Sequence, residues 1–209
     1  IMGETLLGSS FEIGAGGKGS NQAVSAARSG AKVTFISKLG KDNFGDAALA
    51  MYAREGMTVL AEQVTDNSTG AAYIFVQNGT GSNAIIVVPG AAGTITPADV
   101  ERHAGAIRNA AVFVTQLEQP IPAAIRALEI AKAAGTTTIL NTAPAAPLDD
   151  AIFGLCDYVT PNESEATGIT GVAVTDVATA RKAGDVLLEK GAGAALITLG
   201  GQGALLHTA

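Results

Sequence analysis

The sequence predicts an α/β fold: a doubly wound, mostly parallel sheet with a small β-sheet lid beside it. Strand-like and helix-like segments alternate through the second half of the chain, which is typical of right-handed crossovers between parallel strands. Apolar residues make up 47% of the 209 residues, enough for a substantial core. In the first half, two β-rich runs flank the turn-rich segment 78–82, and this pattern indicates a hairpin instead of a crossover.

The body of the first half is predicted to hold two helices and a strand. The helices are predicted at 20–29 and 44–54, with Asp42 or Asn43 as the N-cap of the second. Between them, the apolar run 33–37 is typical of a buried strand.

The hairpin strands are predicted at 71–77 and 83–88, and we expect residues 4–13 to join them in one small sheet. The chain is therefore predicted to form two units. The α/β body comprises residues 14–68 and 89–209, and the β lid comprises residues 1–13 and 69–88.

The second half follows the strand–helix rhythm. Ile121, Ile125 and Leu128 recur at helical spacing, and Gly135 suits the end of that helix. The predicted strands are 111–117, 136–140, 157–160 and 194–199, with another beginning at 204, and the predicted helices are 120–134, 148–153, a short one from 162, and 176–190.

Composition excludes several kinds of protein. Thirteen basic and nineteen acidic residues give a net charge of −6, so we expect no nucleic-acid partner. One cysteine, Cys156, and two histidines, His103 and His207, exclude a disulfide within the chain and a Cys- or His-rich metal centre. We expect Cys156 to be a core thiol, His103 to be solvated and His207 to be structural. Since no apolar run reaches membrane-spanning length and no secretion signal opens the sequence, we expect a cytoplasmic protein without a membrane partner.

Polar residues follow four of the predicted strands. Ligands of open parallel sheets bind beyond the carboxyl ends of the strands, so these residues mark a candidate site. They are Glu118, Asn141, Asn162 with Glu165, and, after the apolar run 194–197 of the last of these strands, Thr198 with the glycine-rich segment 200–203.

The segment 14–21 is glycine-rich and opens a helix. Backbone N–H groups at a helix N-terminus attract oxygen-rich ligands, and the Asn21 amide suits a sugar hydroxyl. Gly14, Gly16 and Gly19 also fit the G-x-G-x-x-G pattern of dinucleotide sites, although the preceding run 11–13 is short. A tight turn into a helix, without a ligand, is the alternative.

The other candidates also have structural alternatives. Asn162 followed three residues later by Glu165 is a capping box, and Glu165 could in addition face a hydrated Mg²⁺. Glu118 is either a sugar ligand or a solvated loop carboxylate. The segment 200–203 either cradles phosphate or closes a hairpin.

Seven motifs, in order along the chain, resemble those of the PfkB carbohydrate kinase family. They are GGKGSNQAV (16–24), GKDNFG (40–45), STG (68–70), QLE (116–118), NTAPA (141–145), TPNESEA (160–166) and ITLGGQG (197–203). The glutamate of QLE and the NTAPA segment are most similar to the ribose-phosphorylating members.

The resemblance implies transfer of a phosphoryl group from ATP to the 5-hydroxyl of ribose. It assigns sugar binding to Gly17, Lys18, Gly19, Ser20, Asn21 and Glu118. It assigns ATP binding to Asn162, Thr198, Gly200, Gly201, Gln202 and Gly203. It further implies that Glu165 orders Mg²⁺ through water, that the lid closes over the sugar, and that the lid forms a homodimer interface.

The resemblance leaves the catalytic base without a candidate. The family's catalytic aspartate and its K⁺ site belong to a segment after the last motif found here, and its first strand precedes the first motif. We therefore expect a fragment of a longer enzyme. A fructokinase or nucleoside kinase, a non-catalytic sugar-binding module, and a dinucleotide-dependent oxidoreductase stay open as alternatives.

Overall fold

The N-terminal part of the fold is a β–α–β unit preceded by a helix. The structure, a computed structural model, describes residues 7–209. The elements in order are α1 (Lys18–Arg28), β1 (Thr34–Gly40), α2 (Asn43–Arg54) and β2 (Thr58–Val64), and β1 pairs with β2 in parallel. Both helices are found as predicted. Asp42 is the N-cap of α2, since its carboxylate accepts a hydrogen bond from the Gly45 N–H at 2.8 Å.

Two details of this unit differ from the prediction. β1 is longer than expected, and it is partly exposed over most of its length instead of buried. β2 was not predicted, because Glu62 and Gln63 interrupt its apolar alternation and lie on the surface.

A separate antiparallel hairpin follows, formed by β3 (Ala71–Val76) and β4 (Asn83–Val88). These two strands pair only with each other in the described part of the chain, as expected for a small separate sheet. The prediction that residues 4–13 join this sheet is wrong for residues 7–13, which are exposed and form no strand. Residues 4–6 lie outside the described range. The division into body and lid stays a prediction.

The second half alternates strands and helices as predicted, with two additional short helices at its start. The elements are α3 (Pro97–Arg102), α4 (Ala104–Arg108), β5 (Val112–Thr115), α5 (Ile121–Ala133), β6 (Thr137–Leu140), β7 (Tyr158–Val159), α6 (Glu163–Thr170), α7 (Val177–Glu189), β8 (Ala194–Thr198) and β9 (Ala204–Thr208). Short 3₁₀ turns lie at Gly90–Thr94, Asp150–Leu155 and Gly200–Gln202.

The strands of the second half form one five-stranded sheet in the order β5–β6–β7–β8–β9. The first four strands are parallel, whereas β9 returns antiparallel beside β8. The α/β class, with a mostly parallel sheet and a small separate β-sheet, is thus confirmed. Because the sheet is parallel, the ends of β5 to β8 that carry the polar residues all lie along one edge.

Helices α5, α6 and α7 cover one face of this sheet. Large side chains of the resulting core that are at most 1% exposed include Phe153, Leu128, Leu140, Leu187, Ile197 and Val159. Residues that register places on the opposite face are more open: Val112, Val114, Tyr158 and Leu206 are 40% to 56% exposed. Cys156 is buried in the core, as predicted, and this burial raises the pKa of its thiol to about 12.

Within residues 7–209, no helix combines the length and the apolar character needed to cross a membrane.

Candidate functional site

Backbone hydrogen bonds join the ends of β5 to β8 into one continuous edge. The Asn141 N–H donates to the Thr115 carbonyl at 2.9 Å, and the Thr160 N–H donates to the Leu140 carbonyl at 2.9 Å. At the far end of the edge, the Thr198 N–H donates to the Pro161 carbonyl at 3.0 Å. The predicted polar residues therefore follow neighbouring strands along a single rim.

Glu118 connects this rim to the glycine-rich loop. Its Oε2 accepts a hydrogen bond of 2.7 Å from the Lys18 N–H, the first N–H of α1. Gly17, the N-cap of α1, has no side chain to satisfy this end of the helix, and its φ of 93° favours glycine. A carboxylate at a helix N-terminus is favoured by the helix dipole, so Glu118 caps α1 from a distant part of the sequence.

The predicted sugar-binding residues of this loop divide into open and packed positions. Gly17 and Asn21 are exposed and Lys18 is half-buried, so all three are accessible to a ligand. Ser20 is only 5% exposed and lies beside Tyr52. Burial raises the pKa of Tyr52, and a hydrogen bond involving Ser20 partly offsets that effect.

At Gly19, another residue occupies the space in which a side chain would lie. A Cβ built at this position would lie 2.9 Å from Oε1 of Gln116, closer than real Cβ atoms tolerate without a shift. A side chain at this position would therefore displace the Gln116 amide from its place beside α1, while the role of Gly19 toward a ligand stays a prediction. Gly14 and Gly16, by contrast, have open space where a Cβ would lie.

An open cleft of about 510 Å³ runs along α1, starting at the glycine-rich loop. Its lining residues are Ala15, Ser20, Asn21, Val24, Ser25, Arg28, Ser29 and Met51. Asn21 thus lines this cleft and also lies in the first turn of α1, the helix that Glu118 caps. The cleft itself does not reach the residues that follow β7 and β8.

Asn162 and Glu165 form the predicted capping box at the start of α6. The Asn162 Oδ1 accepts from the Glu165 N–H at 2.8 Å, and the Glu165 Oε2 accepts from the Asn162 N–H at 3.1 Å. Thr142, which follows β6, donates to the same Glu165 Oε2 at 3.1 Å. The cap is therefore confirmed, and it is tied to the neighbouring strand end.

Glu165 fits a role beside a hydrated ion better than direct coordination. It is 6% exposed, and its Oε1 also accepts from Nδ2 of Asn162 at 3.1 Å, so three donors already occupy this carboxylate. Residues 7–209 contain no group of three or more His, Cys, Asp or Glu side chains arranged to hold a metal. Mg²⁺ keeps several of its waters in proteins, so an ion held through water is compatible with these residues.

The segment after β8 closes a hairpin and also stands next to Asn162. The Leu199 N–H donates to the Gly203 carbonyl at 2.8 Å, and the chain then returns as β9. Asn162 and Thr198 form an isolated parallel β-bridge, and a Cβ at Gly200 would lie 3.5 Å from Oε1 of Glu163. Gly200, Gly201, Gln202 and Gly203 are all exposed.

The site residues therefore gather along one edge of the sheet, as their positions after successive strands predicted. Glu118 follows β5 and Thr198 ends β8, and these two strands are separated by three interstrand spacings, or roughly 14 Å at the usual spacing of parallel strands. Asn21 joins the same end of the molecule, since the first turn of α1 is bonded to Glu118.

The G-x-G-x-x-G interpretation of the loop loses its structural context. A dinucleotide site needs a strand directly before the glycines, whereas residues 7–17 contain no strand. The oxidoreductase alternative is therefore set aside.

Two residues of the site, Gln116 and Thr142, were missed by sequence reasoning. Thr142 adjoins Asn141 and Gln116 lies two residues before Glu118, but neither has an obvious function of its own as a polar residue after a strand. Their contacts, Gln116 with α1 and Thr142 with Glu165, join segments that are far apart in sequence. Only their positions in two of the motifs could have drawn attention to them.

Comparison with known proteins adds a family assignment. The family model described as pfkB family carbohydrate kinase matches residues 2–209. A bifunctional ribokinase/ribose-5-phosphate isomerase A of Fructilactobacillus sanfranciscensis is 43% identical over 210 residues, covering 100% of this chain and 39% of the relative. A ribokinase of Haemophilus influenzae is 41% identical over 96% of this chain and 66% of the relative.

A solved ribokinase structure has a similar fold. The structure of Arabidopsis thaliana ribokinase, solved in complex with ribose and ATP, matches with a TM-score of 0.87 at 28% identity. That match covers 99% of this chain and 67% of the other. The chain thus spans about two thirds or less of the length of these relatives.

Proposed function

The chain belongs to the pfkB family of carbohydrate kinases, and we propose that it is the sugar- and nucleotide-binding part of an ATP-dependent ribose kinase. The reaction transfers the γ-phosphoryl group of ATP to the 5-hydroxyl of ribose in the cytoplasm. Support for ribose comes from the relatives with 41% and 43% identity, both described as ribokinases.

One observation carries the proposal: the two groups of candidate binding residues lie on the same rim. The first turn of α1 is bonded to Glu118 at 2.7 Å, and Asn162 is bridged to Thr198 farther along the edge. Phosphoryl transfer depends on holding acceptor and donor in line, so adjoining sites are the arrangement that it requires.

In the sugar pocket, Glu118 and Asn21 bind hydroxyl groups of the sugar. Oε2 of Glu118 is bonded to the Lys18 N–H, and its Oε1 has no hydrogen-bond partner among residues 7–209, which leaves an acceptor for the sugar. Gly17 lets the loop backbone come close to the ligand, and the Lys18 side chain adds positive charge. We assign no catalytic base to this chain.

At the nucleotide site, Asn162 and the backbone N–H groups of Gly200 and Gly201 face the phosphates of ATP. The N–H groups of Gln202 and Gly203 donate to the Leu199 and Gly200 carbonyls and fix the shape of this turn, which borders the same ligand. Thr198 supports this segment at the end of β8. Glu165 orders water around Mg²⁺, which supplies charge neutralisation on the phosphates when it is bound. K⁺ dependence is a further expectation from the family and involves none of the proposed sugar- or ATP-binding residues.

The hairpin is proposed to serve as a lid and as a homodimer interface. Register places Tyr73, Phe75, Ile86 and Val88 on one face and Ile74, Val76, Ile85 and Val87 on the other, and all eight are 45% to 63% exposed. An isolated hairpin with two bare apolar faces calls for cover on both. One face closes over the sugar and keeps water from the reacting phosphate, and the other packs against a second copy.

The proposal is tested by ADP formation in the complete protein. With ATP and Mg²⁺, ADP should form rapidly only when ribose is present, and phosphorus NMR should place the new phosphate on the 5-position. A panel of ribose, 2-deoxyribose, fructose and adenosine distinguishes the proposed activity from a fructokinase or nucleoside kinase. Equal ADP release with and without any of these acceptors would overturn the proposal and favour a non-catalytic sugar-binding module.

A further inference from the structure

Gln116 lies between the end of β5 and the first turn of α1. It is 7% exposed, and its Nε2 donates a hydrogen bond to Oε1 of Gln22 on α1. Its partner is 94 residues away in sequence. A buried amide that joins two elements fixes their separation, because losing the bond would leave polar groups without partners.

The same amide fits into the space left by the missing side chain of Gly19. A Cβ there would lie 2.9 Å from Oε1 of Gln116 and 3.5 Å from Cε2 of Phe35. One side of α1 is therefore in contact with Gln116 at two successive turns, through Gly19 and through Gln22.

Gln116 is itself held on the β5 side. Nε2 of Gln119 donates to the Gln116 carbonyl and, at 2.8 Å, to Oγ1 of Thr115. The next residue, Leu117, donates its N–H to the Ala143 carbonyl at 3.0 Å, which ties this segment to the end of β6. The amide is thus a fixed point of the sheet edge against which α1 is placed.

We propose that Gln116 is a positioning residue of the sugar site, setting the first turn of α1 at the distance from Glu118 that lets both contact one sugar. This inference rests on the proposed function. Glu118 bonds to Lys18 on one side of Gly19, and Gln116 bonds to Gln22 on the other, so the start of α1 is held at two points. Gln116 itself need not touch the ligand.

The kinetic test is Gln116→Met in the complete protein, a change that keeps the length of the side chain and removes its hydrogen bonds. The KM for ribose should rise about tenfold, the effect of one lost bond of this kind, with the KM for ATP and kcat within about twofold. Gln22→Met breaks the same bond from the half-buried helix side and should act in the same direction if Gln116→Met does not fold. Gln63→Met, at an exposed amide bonded to Asp46, is the matched control.

A double-mutant cycle tests the contact with Gly19 directly. Gly19→Ala alone should raise the ribose KM, since its methyl group meets the Gln116 amide. Combined with Gln116→Ala, which makes room for that methyl group, it should cost no more than Gln116→Ala alone. Additive effects of the two substitutions would contradict the proposal, as would a ribose KM that stays constant in Gln116→Met and Gln22→Met.

Hydrogen–deuterium exchange separates this inference from the proposed function. Gln116→Met should speed exchange at least severalfold in the N-terminal half of α1, at the hydrogen-bonded amides from Asn21 onward, and leave α7 unchanged. If the unsubstituted protein forms no ribose-dependent ADP, the proposed function fails, and so does the sugar part of this inference, while faster exchange would still support the placement of α1 by Gln116. Unchanged exchange in α1 would overturn that placement whatever the substrate.

Discussion

At the scale of single residues, Glu118 combines a structural and a proposed functional role. Its carboxylate caps α1 through the Lys18 N–H, and it is half-buried at the end of the sheet. The two roles use different properties: the cap requires an acceptor, whereas tight binding of hydroxyl groups benefits from the charge. A substitution that keeps the acceptor and removes the charge therefore separates them.

Glu118→Gln should weaken ribose binding and leave the fold intact. The amide oxygen still accepts from Lys18, but bonds from sugar hydroxyls to a charged oxygen are lost, which corresponds to roughly a tenfold to hundredfold rise in the KM for ribose. Steady-state kinetics on the complete protein measure this, with Glu129→Gln on the surface of α5 as the control. A ribose KM like that of the control would remove Glu118 from the sugar site.

Asn162 likewise combines a cap with a proposed contact to ATP. Asn162→Ala should lower the free energy of unfolding by about 1 kcal/mol through loss of the N-cap, and it should also weaken ATP binding. Thr96→Ala, at the capping box of α3, removes a similar cap away from this rim and should affect stability alone. Urea unfolding and nucleotide titration measure the two effects, and equal ATP affinity in both variants would contradict the assignment of Asn162.

At the scale of elements, the hairpin is the part of the fold whose apolar surface lacks cover. β3 and β4 pair along six residues each, and neither packs its side chains into a core cluster of the described chain. Since alternate residues point to opposite faces, neighbouring residues of one strand report on different surfaces.

Ile85→Lys and Ile86→Lys form a matched pair for testing the two faces. They are adjacent isoleucines, 53% and 58% exposed, on opposite sides of the hairpin. A lysine on the dimer face should convert the dimer to a monomer in sedimentation velocity, and a lysine on the face toward the sugar should mainly raise the ribose KM. A protein that is monomeric before substitution, or two variants that behave alike in both assays, would contradict the two-face account.

The elements that could be predicted from sequence are those with local signals. α5 has helical apolar spacing with Pro120 before it and Gly135 after it, and it lies where the pattern indicated. β2 could not be recognised, because strand periodicity is lost where Glu62 and Gln63 face solvent. The antiparallel direction of β9 could not be predicted either, because the segment 200–203 suits a hairpin as well as a phosphate loop.

The site shows the same division. Successive strand ends predicted a common edge, and Glu118, Asn162 and Thr198 lie along it. The bond between Lys18 and Glu118 spans 100 residues, and no local pattern could have specified it. The Gln116 contact with Gly19 also depends on how closely α1 approaches β5, which only tertiary packing decides.

At the scale of the whole molecule, a charged cluster joins β1, β2 and α3. Lys38 donates to Oδ2 of Asp99 at 2.9 Å, with side-chain exposures of 12% and 16%, and Arg102 and Glu62 complete the cluster. Burial by itself raises the pKa of Asp99, but hydrogen bonds from Lys38, Thr96 and Arg102 outweigh it and hold that pKa far below its usual value. The ionised carboxylate is therefore part of what stabilises the fold.

This cluster predicts a pH dependence of stability. Because the pKa of Asp99 is lower in the folded chain, its contribution is complete above the unfolded value of 3.8 and is lost as the pH falls below it. Asp99→Asn should lower the free energy of unfolding by about 2 kcal/mol at pH 7, and the difference from the unsubstituted protein should shrink at pH 3. Urea unfolding from pH 3 to 7 measures this, with the exposed Asp66→Asn as control. A difference that does not change with pH would contradict it.

The most direct measurement is a crystal structure of the complete protein with ribose and a non-hydrolysable ATP analogue. The account predicts ribose in contact with Asn21 and Glu118, and the triphosphate beside Asn162 and the segment 200–203, with the 5-hydroxyl directed at the γ-phosphate. Ribose or nucleotide bound away from the shared edge of β5 to β8 would contradict it.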